Sequence, residues 1–256
     1  MQKFQFMKLA KLNNRAEIFH TIQGEGKSIG KPSIFVRTSL CNLHCIWCDT
    51  DYTWNWKGTS FKHIHDSLPG YSKFSKEEYL IELPIEGIVK EVQGINCKNI
   101  VLTGGEPLLQ QDDLQQLMAT LKRQDNNYRF EVETNGTLIP SDKFNQYVEQ
   151  YNVSPKLQNS NNSLKLRARE NALHYFAQND KAVFKFVLTN PDDLDEILGL
   201  IEKYQIKPET VYLMPEGQTE EKLRLKQQWL IEVCKQYNFN YTDRIHIHIY
   251  GSKRGV

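Results

Sequence analysis

The sequence predicts an α/β fold, a partial, open (β/α) barrel built on a parallel sheet. From about residue 99 onward, short runs rich in β-branched and aromatic residues alternate with longer amphipathic runs, which is typical of repeated βα units. Expected strands lie near residues 33, 99, 128, 149, 182, 211 and 245. A closed eight-unit barrel usually needs about 250 residues for its core alone, so an open one is favoured. We expect one domain over residues 1–256.

The elements are expected in the following order. "SIFVRT" at 33–38 is a strand, and "PIEGIVKEVQ" is a helix with proline in its first turn. Further helices are "QDDLQQLMATLKRQ", "DDLDEILGLIEKY" and "TEEKLRLKQQWLIEVCKQY". The last expected strand is "IHIHIY", whose alternation would put His246, His248 and Tyr250 on one face. There the two histidines would form hydrogen bonds at the barrel mouth rather than bind a metal.

One segment interrupts this pattern. Residues 52–83 are aromatic, polar and rich in turn-forming residues, which predicts an excursion inserted after the cysteine-rich loop that follows residue 40. We expect it to cover an edge of the sheet. A substrate lid and a dimer contact are the alternatives.

Composition excludes several classes of protein. The net charge of +1, from 32 basic and 31 acidic residues, provides no basic surplus for binding a long nucleic acid. The sequence contains no run of about 18 apolar residues, so no membrane span is expected. The first residues do not resemble a signal peptide. Five cysteines, an odd number and unevenly spaced, predict reduced thiols and a cytoplasmic protein.

Three of the five cysteines form a cluster. They are Cys41, Cys45 and Cys48, in "CNLHCIWC". The spacing C-x3-C-x2-C suits zinc or an iron–sulfur cluster. A structural zinc needs a fourth ligand, for which His44 is poorly placed, and Cys97 and Cys234 are expected to be small buried hydrophobic residues. A [4Fe-4S] cluster held by three cysteines keeps one iron free for a small molecule. A zinc-stabilised binding module or an electron-transfer protein remains an alternative.

Two further motifs extend the pattern. "IVLTGGEP" at 100–107 is an apolar strand that ends in two glycines, and "EVETNGT" at 131–137 is a strand that ends in a polar turn. With the cysteine loop, these motifs resemble the radical S-adenosylmethionine enzymes. The resemblance implies a [4Fe-4S] cluster, S-adenosyl-L-methionine, and a radical that removes hydrogen from the substrate. The residues that it assigns to the cofactor are Gly104, Gly105, Glu133, Thr134, Asn135, Ser154 and Lys156.

A narrower resemblance begins before the cysteines. "TIQGEG" at 21–26, "CDT" at 48–50, "VSPK" at 153–156 and the terminal "HIYGSKRGV" are similar to motifs of the 7-carboxy-7-deazaguanine synthase family. That family implies ring contraction of 6-carboxy-5,6,7,8-tetrahydropterin to 7-carboxy-7-deazaguanine, with release of ammonia, in queuosine biosynthesis. The residues that it assigns to the substrate are Ile22, Gln23, Gly24, Glu25, Arg37, Thr103 and Val256. Thr50 would coordinate Mg²⁺.

The family resemblance also implies a homodimer and a flavodoxin or ferredoxin as electron donor. It identifies no side chain as a general acid or base. The sequence departs from the family at "LMPEG", where Met214 replaces a frequent glutamine. Open alternatives are a glycyl-radical activating enzyme, which would not require "TIQGEG" or "CDT", and a relative acting on another pterin or purine precursor.

Overall fold

The computed structural model describes residues 6–256. Its strands are β1 Phe6–Leu12, β2 Arg15–Ala16, β3 Ile18–Ile22, β4 Pro32–Thr38, β5 Leu80–Pro84, β6 Asn99–Gly104, β7 Arg129–Thr134, β8 Val148–Val153, β9 Ala182–Leu188, β10 Val211–Pro215 and β11 Asn240–Tyr241. Its α-helices are α1 Lys76–Tyr79, α2 Ile85–Gln93, α3 Gln111–Gln124, α4 Asp142–Asn145, α5 Leu164–Arg167, α6 Glu170–Ala177, α7 Asp193–Tyr204, α8 Glu220–Tyr237 and α9 Ile245–Tyr250. No helix in this part of the chain is long and apolar enough to cross a membrane.

The strands form one sheet of mixed direction. Its order is β11-β10-β9-β8-β7-β6-β4-β1-β2, with β3 also paired to β4 and β5 to β1. Every pairing from β4 through β6, β7, β8, β9 and β10 to β11 is parallel, whereas β1, β2, β3 and β5 pair antiparallel. The two ends of this order are not paired with each other, which confirms the open barrel. Because the central strands are parallel, their carboxyl ends lie along one edge.

Helices pack against the sheet and form the apolar core with it. In α3 the buried residues are Leu114, Leu117, Met118 and Leu121. Their spacing places them on one helical face, which packs into the same apolar cluster as the strands. Burying each of these side chains stabilises the fold by about 1.5–3 kcal/mol. Cys97 and Cys234 are also buried in this cluster, as expected.

The strands β1, β2, β3 and β5 were not expected from the sequence. In β1, Met7 and Leu9 are fully buried, and β5 pairs with β1 from Phe6↔Pro84 to Ala10↔Leu80. The expected excursion over residues 52–83 therefore ends in a strand of the sheet. Its preceding part, apart from the short helix α1, consists of turns and two 3-10 helices.

The expectation of a strand at "IHIHIY" is wrong, because residues Ile245–Tyr250 form the helix α9. Only Ile247 of its three isoleucines is buried, and Ile249 is exposed. A half-buried strand would have buried all three, so packing overrides the β propensity of this short run. In the helix, His246 and His248 lie near different carboxylates, 3.9 Å from Glu25 and 3.3 Å from Asp243 respectively.

Candidate active site

The carboxyl ends of the parallel strands surround a cavity of about 300 Å³. Every residue that the sequence assigned to substrate, cofactor, cluster or magnesium lines it: Ile22, Gln23, Gly24, Glu25, Arg37, Cys41, Cys45, Cys48, Thr50, Thr103, Gly104, Gly105, Glu133, Thr134, Asn135, Ser154, Lys156 and Val256. Met214 also lines it and is almost fully buried. Residues that lie more than two hundred positions apart in the sequence therefore meet at one site.

The cysteines lie in an irregular loop that follows β4. Each sulfur accepts one N–H hydrogen bond from the chain. The donors are the Leu43 backbone to Cys41 at 3.5 Å, the Asn162 amide to Cys45 at 3.3 Å, and the Trp54 indole to Cys48 at 3.4 Å. Such N–H donors stabilise negative charge on sulfur.

Neighbouring segments fix this loop in place. His63 Nε2 lies 2.9 Å from the carbonyl oxygen of Cys48, and the His44 ring stacks on Phe61 with a 3.4 Å centroid distance. The amide of Ile64 donates to the carbonyl of Ile46 at 2.9 Å. Thus part of the segment over residues 52–83 covers the cysteine loop itself, and His44 points into that cover rather than toward the thiols.

Burial raises the pKa of all three thiols. The pKa of Cys48 rises to about 12, first through burial and then through the negative charges of Asp49 and Cys45. The pKa of Cys41 lies well above its ordinary value, again mainly through burial. Three buried thiolates would repel each other, so they need a strongly positive group among them. An iron–sulfur cluster fits that requirement.

A single zinc ion fits these residues less well. Across residues 6–256, no group of three or more His, Cys, Asp or Glu side chains is arranged to hold one metal ion. A [4Fe-4S] cluster instead takes one thiolate on each of three irons, so it needs no ion shared by all three. The zinc alternative is therefore not favoured.

The two glycines after β6 allow a close approach between backbone segments. A Cβ on Gly104 would lie 2.0 Å from the carbonyl oxygen of Thr38, and a Cβ on Gly105 would lie 1.9 Å from that of Leu40. Gly104 also has a φ of +131°, which L residues rarely adopt. Both glycines therefore let the loop after β6 touch the start of the cysteine loop.

Glu106 joins the loops after β6 and β7. This fully buried carboxylate accepts hydrogen bonds from the Asn135 amide at 2.7 Å, the Thr134 hydroxyl at 2.8 Å and the Leu108 amide at 3.0 Å. Burial raises its pKa, and the three donors oppose that rise. Asn135 in turn donates to Asn42 of the cysteine loop at 2.9 Å. The three motifs of the sequence are thus connected by direct contacts.

Alternating charges form another part of the wall. Lys185 Nζ donates to Glu133 at 2.8 Å and to Glu25 at 2.7 Å. Arg244 pairs with Glu25 at 2.8 Å and also with Asp49. Burial alone would raise the pKa of Glu25, but Lys185 and Arg244 hold it well below its ordinary value. We call Glu133, Lys185, Glu25, Arg244 and Asp49 the acidic chain.

The neighbouring Gln23 and Gly24 have roles inside the protein. The Gln23 amide donates to Glu131 at 2.9 Å and to Glu133 at 3.1 Å. A Cβ on Gly24 would lie 2.1 Å from Nδ1 of His246, so the glycine makes room for that ring. Both residues still line the cavity.

The sequence did not single out several charged residues of the wall. Lys185 had a signal, because it is the one charge in the strand "AVFKFVL" and a buried lysine needs partners. Glu106, which is fully buried and does not line the cavity, stood within a quoted motif. Arg244 follows a short strand near the end of the chain, and no periodicity marks it. Arg254 stood within the quoted "HIYGSKRGV", but no role was assigned to it.

Comparison with known proteins places these features in context. The model of the Radical SAM superfamily matches residues 35–169. The 7-carboxy-7-deazaguanine synthase of Pyrobaculum aerophilum is 31% identical over 241 residues, covering 93% of this chain and 95% of the relative. That of Buchnera aphidicola is 32% identical over 240 residues, covering 91% and 96%. The crystal structure of QueE from Escherichia coli matches with a TM-score of 0.62 at 26% identity, covering 88% of this chain and 91% of the other.

Proposed function

The chain belongs to the Radical SAM superfamily and, within it, to the 7-carboxy-7-deazaguanine synthase family. We propose that its cavity is the site of the reaction that gives this family its name. The reaction is the radical ring contraction of 6-carboxy-5,6,7,8-tetrahydropterin to 7-carboxy-7-deazaguanine, with release of ammonia, in 7-deazapurine and queuosine biosynthesis. Activation of a glycyl-radical enzyme is not favoured, because the relatives have the synthase name.

One observation carries the proposal for the site. The cysteine loop, the glycine pair, the "ETNGT" turn and the "TIQGEG" segment line a single cavity at the carboxyl edge of the parallel strands. Ligands of open α/β sheets bind at this edge. Substrate and cofactor can therefore lie side by side there.

The cysteine loop would hold the [4Fe-4S] cluster through Cys41, Cys45 and Cys48. When bound with S-adenosyl-L-methionine, the cluster would supply one-electron reduction and radical hydrogen abstraction. The cofactor would be bound by Gly104, Gly105, Glu133, Thr134, Asn135, Ser154 and Lys156. Within this set, Lys156 donates to Ser154 at 2.8 Å and Lys185 neutralises Glu133, so the polar groups are already oriented. Met214 offers a thioether contact where an amide is frequent in the family.

The substrate would lie against Ile22, Gln23, Gly24, Glu25, Arg37, Thr103 and Val256. Arg37, held by Glu17 at 3.1 Å, offers a charge-assisted contact to the pterin carboxylate. Glu25 remains ionised beside its two cations and can accept N–H groups of the pterin ring.

We further propose that Thr50 coordinates Mg²⁺ together with substrate oxygens and water. A hydroxyl oxygen suits this hard cation, which keeps several waters in its octahedral shell. Asp49, the adjacent carboxylate, is already paired with Arg244. A magnesium-dependent turnover that Thr50→Ala does not alter would remove Thr50 from this role.

The remaining proposals concern the whole protein. Residues 1–256 would act as one radical S-adenosylmethionine domain, supported by one continuous sheet and one main apolar cluster. We propose a cytoplasmic homodimer that receives electrons from a flavodoxin or ferredoxin.

The test is an anaerobic assay of reconstituted protein with S-adenosyl-L-methionine, reductant, Mg²⁺ and 6-carboxy-5,6,7,8-tetrahydropterin, with products read by mass spectrometry. We expect 7-carboxy-7-deazaguanine, and we expect Cys45→Ala to lose both cluster and cofactor cleavage. Cleavage of the cofactor without that product would contradict the proposed substrate.

A further inference from the structure

The cavity wall contains a second arginine, Arg254, which pairs with the same carboxylate as Arg37, that of Glu17. Arg37 Nε donates to Oε1 of Glu17 at 3.1 Å, and Arg254 Nη2 donates to Oε2 at 2.5 Å. The Glu17 side chain is only 1% exposed, and Tyr52 donates to it at 3.3 Å. Two guanidinium groups therefore share one buried carboxylate. We call Arg37, Glu17 and Arg254 the arginine pair site.

The arginine pair site has an excess of positive charge. Its two arginines and one glutamate have a net charge of +1, and the further negative charge that acts on Arg37 is that of Asp49 of the acidic chain. The acidic chain has three carboxylates and two cations, which leaves one negative charge. Since both sets line the same cavity, the wall has a cationic part and an anionic part.

Arg254 also has unused hydrogen-bonding capacity. Its guanidinium lies 3.5 Å over the ring of Tyr52, which fixes its plane. Its Nη2 also donates to the carbonyl of Lys11 at 3.1 Å. Its Nε is buried and finds no partner within residues 6–256. A guanidinium has five N–H donors, so others remain for an anion.

We propose that Arg254 and Arg37 together bind the carboxylate of the substrate, and that Glu17 holds the two arginines side by side before it arrives. This inference rests on the proposed function. The substrate carboxylate supplies the second negative charge that two adjacent guanidinium groups require. Arg254 is therefore a substrate-binding residue in the terminal segment, not only an anchor for the chain end.

The same arrangement sets the orientation of the substrate. The 6-carboxylated pterin has its carboxylate at one end of the ring system and the N–H donors of its aminopyrimidinone ring at the other. With its carboxylate at the arginine pair site, the N–H donors can face the acidic chain. The reversed pose would bring the carboxylate against Glu25 and Glu133, where like charges repel.

The test compares two pterins on the reconstituted holoenzyme under anaerobic conditions with S-adenosyl-L-methionine and Mg²⁺. One probe is 6-carboxy-5,6,7,8-tetrahydropterin, and the other is 6-methyl-5,6,7,8-tetrahydropterin, which lacks the carboxylate. We expect Arg254→Ala to weaken binding of the carboxylated probe by roughly 10- to 100-fold, the usual loss for a charge-assisted hydrogen bond. Affinity for the methyl probe should not change, and Arg254→Lys should restore part of the loss.

A matched surface variant provides the control. Arg129 starts β7 at the edge away from the cavity and pairs with Glu149 at 3.2 Å, with about half of its side chain exposed. Arg129→Ala should leave both affinities at the wild-type value.

Glu17→Gln separates a binding role from a structural one. It keeps the shape of the side chain but replaces one accepting oxygen with an NH₂ donor that cannot hold a guanidinium, so we expect weaker binding of the carboxylated probe and unchanged binding of the methyl probe. If Glu17→Gln weakens binding of both probes equally, the three residues only support the fold and the inference is wrong. Equal losses for both probes in Arg254→Ala would also overturn it. A wild-type protein that binds neither probe and makes no product would instead contradict the proposed function.

Discussion

At the scale of single residues, the cysteine sulfurs show how the chain prepares its site. The three N–H donors come from a backbone amide, a side-chain amide and an indole, which lie in three different parts of the sequence. Hydrogen bonds to cluster sulfurs raise the reduction potential, because they stabilise the more negative reduced state. The residues around a cluster therefore matter as much as its ligands.

Trp54 provides a clean test of this effect. Trp54→Phe removes the N–H donor to Cys48 and keeps an aromatic ring in the buried position. We expect the cluster to accept an electron about tenfold less readily, a shift of about 59 mV to more negative potential for one electron. A redox titration followed by electron paramagnetic resonance measures it.

Trp47 is the matched control. Its indole donates to the carbonyl of Asn159 at 3.0 Å and not to sulfur. Trp47→Phe should leave the potential unchanged. Equal shifts in Trp47→Phe and Trp54→Phe would show that the N–H···S bond is not the cause.

At the scale of elements, the loops after the parallel strands support each other. The loop after β6 contacts the cysteine loop through the glycine pair, and Glu106 joins it to the loop after β7. The conformation of each loop depends on its neighbour, because the neighbouring loop donates hydrogen bonds to it or leaves room for its backbone. Damage to one loop should therefore disturb the others.

Gly105→Ala tests the close approach of the loops. Its new Cβ would collide with the backbone oxygen of Leu40, which no side-chain rotation can relieve. We expect a loss of about 1–3 kcal/mol in the free energy of unfolding and a reduced iron content after reconstitution. Iron and sulfide analysis together with a denaturant titration would measure both.

Gly199→Ala is the control for that substitution. Gly199 lies in α7 and has open space around its Cβ position. Alanine there should stabilise the helix by up to about 1 kcal/mol and leave iron content unchanged. If Gly105→Ala loads iron as well as Gly199→Ala does, the approach of the two loops is not needed for the cluster.

Glu106→Gln tests the connection between the loops. An amide cannot accept from all the donors that face this carboxylate, and its own NH₂ group would meet one of them. We expect the free energy of unfolding to fall by about 1–3 kcal/mol, measured by denaturant titration. Glu149→Gln, at an exposed site, should change it far less. A loss no larger than that of the control would contradict a structural role for Glu106.

At the scale of the whole molecule, the acidic chain links distant parts of the sequence. Glu25 precedes β4, Lys185 lies in β9, and Arg244 follows β11. Ion pairs among them therefore connect the segment before β4 with β9 and with the segment after β11. Their energy depends on the charge of Glu25.

Acid should weaken this connection. Because the folded protein lowers the pKa of Glu25 below its ordinary value of 4.5, the resulting stability is present above that pH and is lost as the pH falls through the lower folded value. We expect the free energy of unfolding of the apoprotein to fall more steeply in wild type than in Glu25→Gln as the pH falls below about 4.5. Parallel curves for the two proteins would contradict the prediction.

The sequence alone determined the class of fold and the location of the chemistry. Alternation of apolar strands and amphipathic helices from residue 99 predicted the parallel sheet, since these periods are local properties of the chain. The motifs predicted which side chains would meet, because the carboxyl ends of parallel strands share one edge. The cavity contains all of them.

Only the tertiary structure decided the partners of those side chains. The run "IHIHIY" has the alternation of a strand but forms a helix, because its surroundings bury only Ile247. The glycine pair was expected to admit a ligand, and the structure shows that it also admits another stretch of backbone. The sharing of Glu17 by Arg37 and Arg254, more than two hundred residues apart, leaves no local pattern. Contacts of this kind depend on how distant segments pack, which no periodicity records.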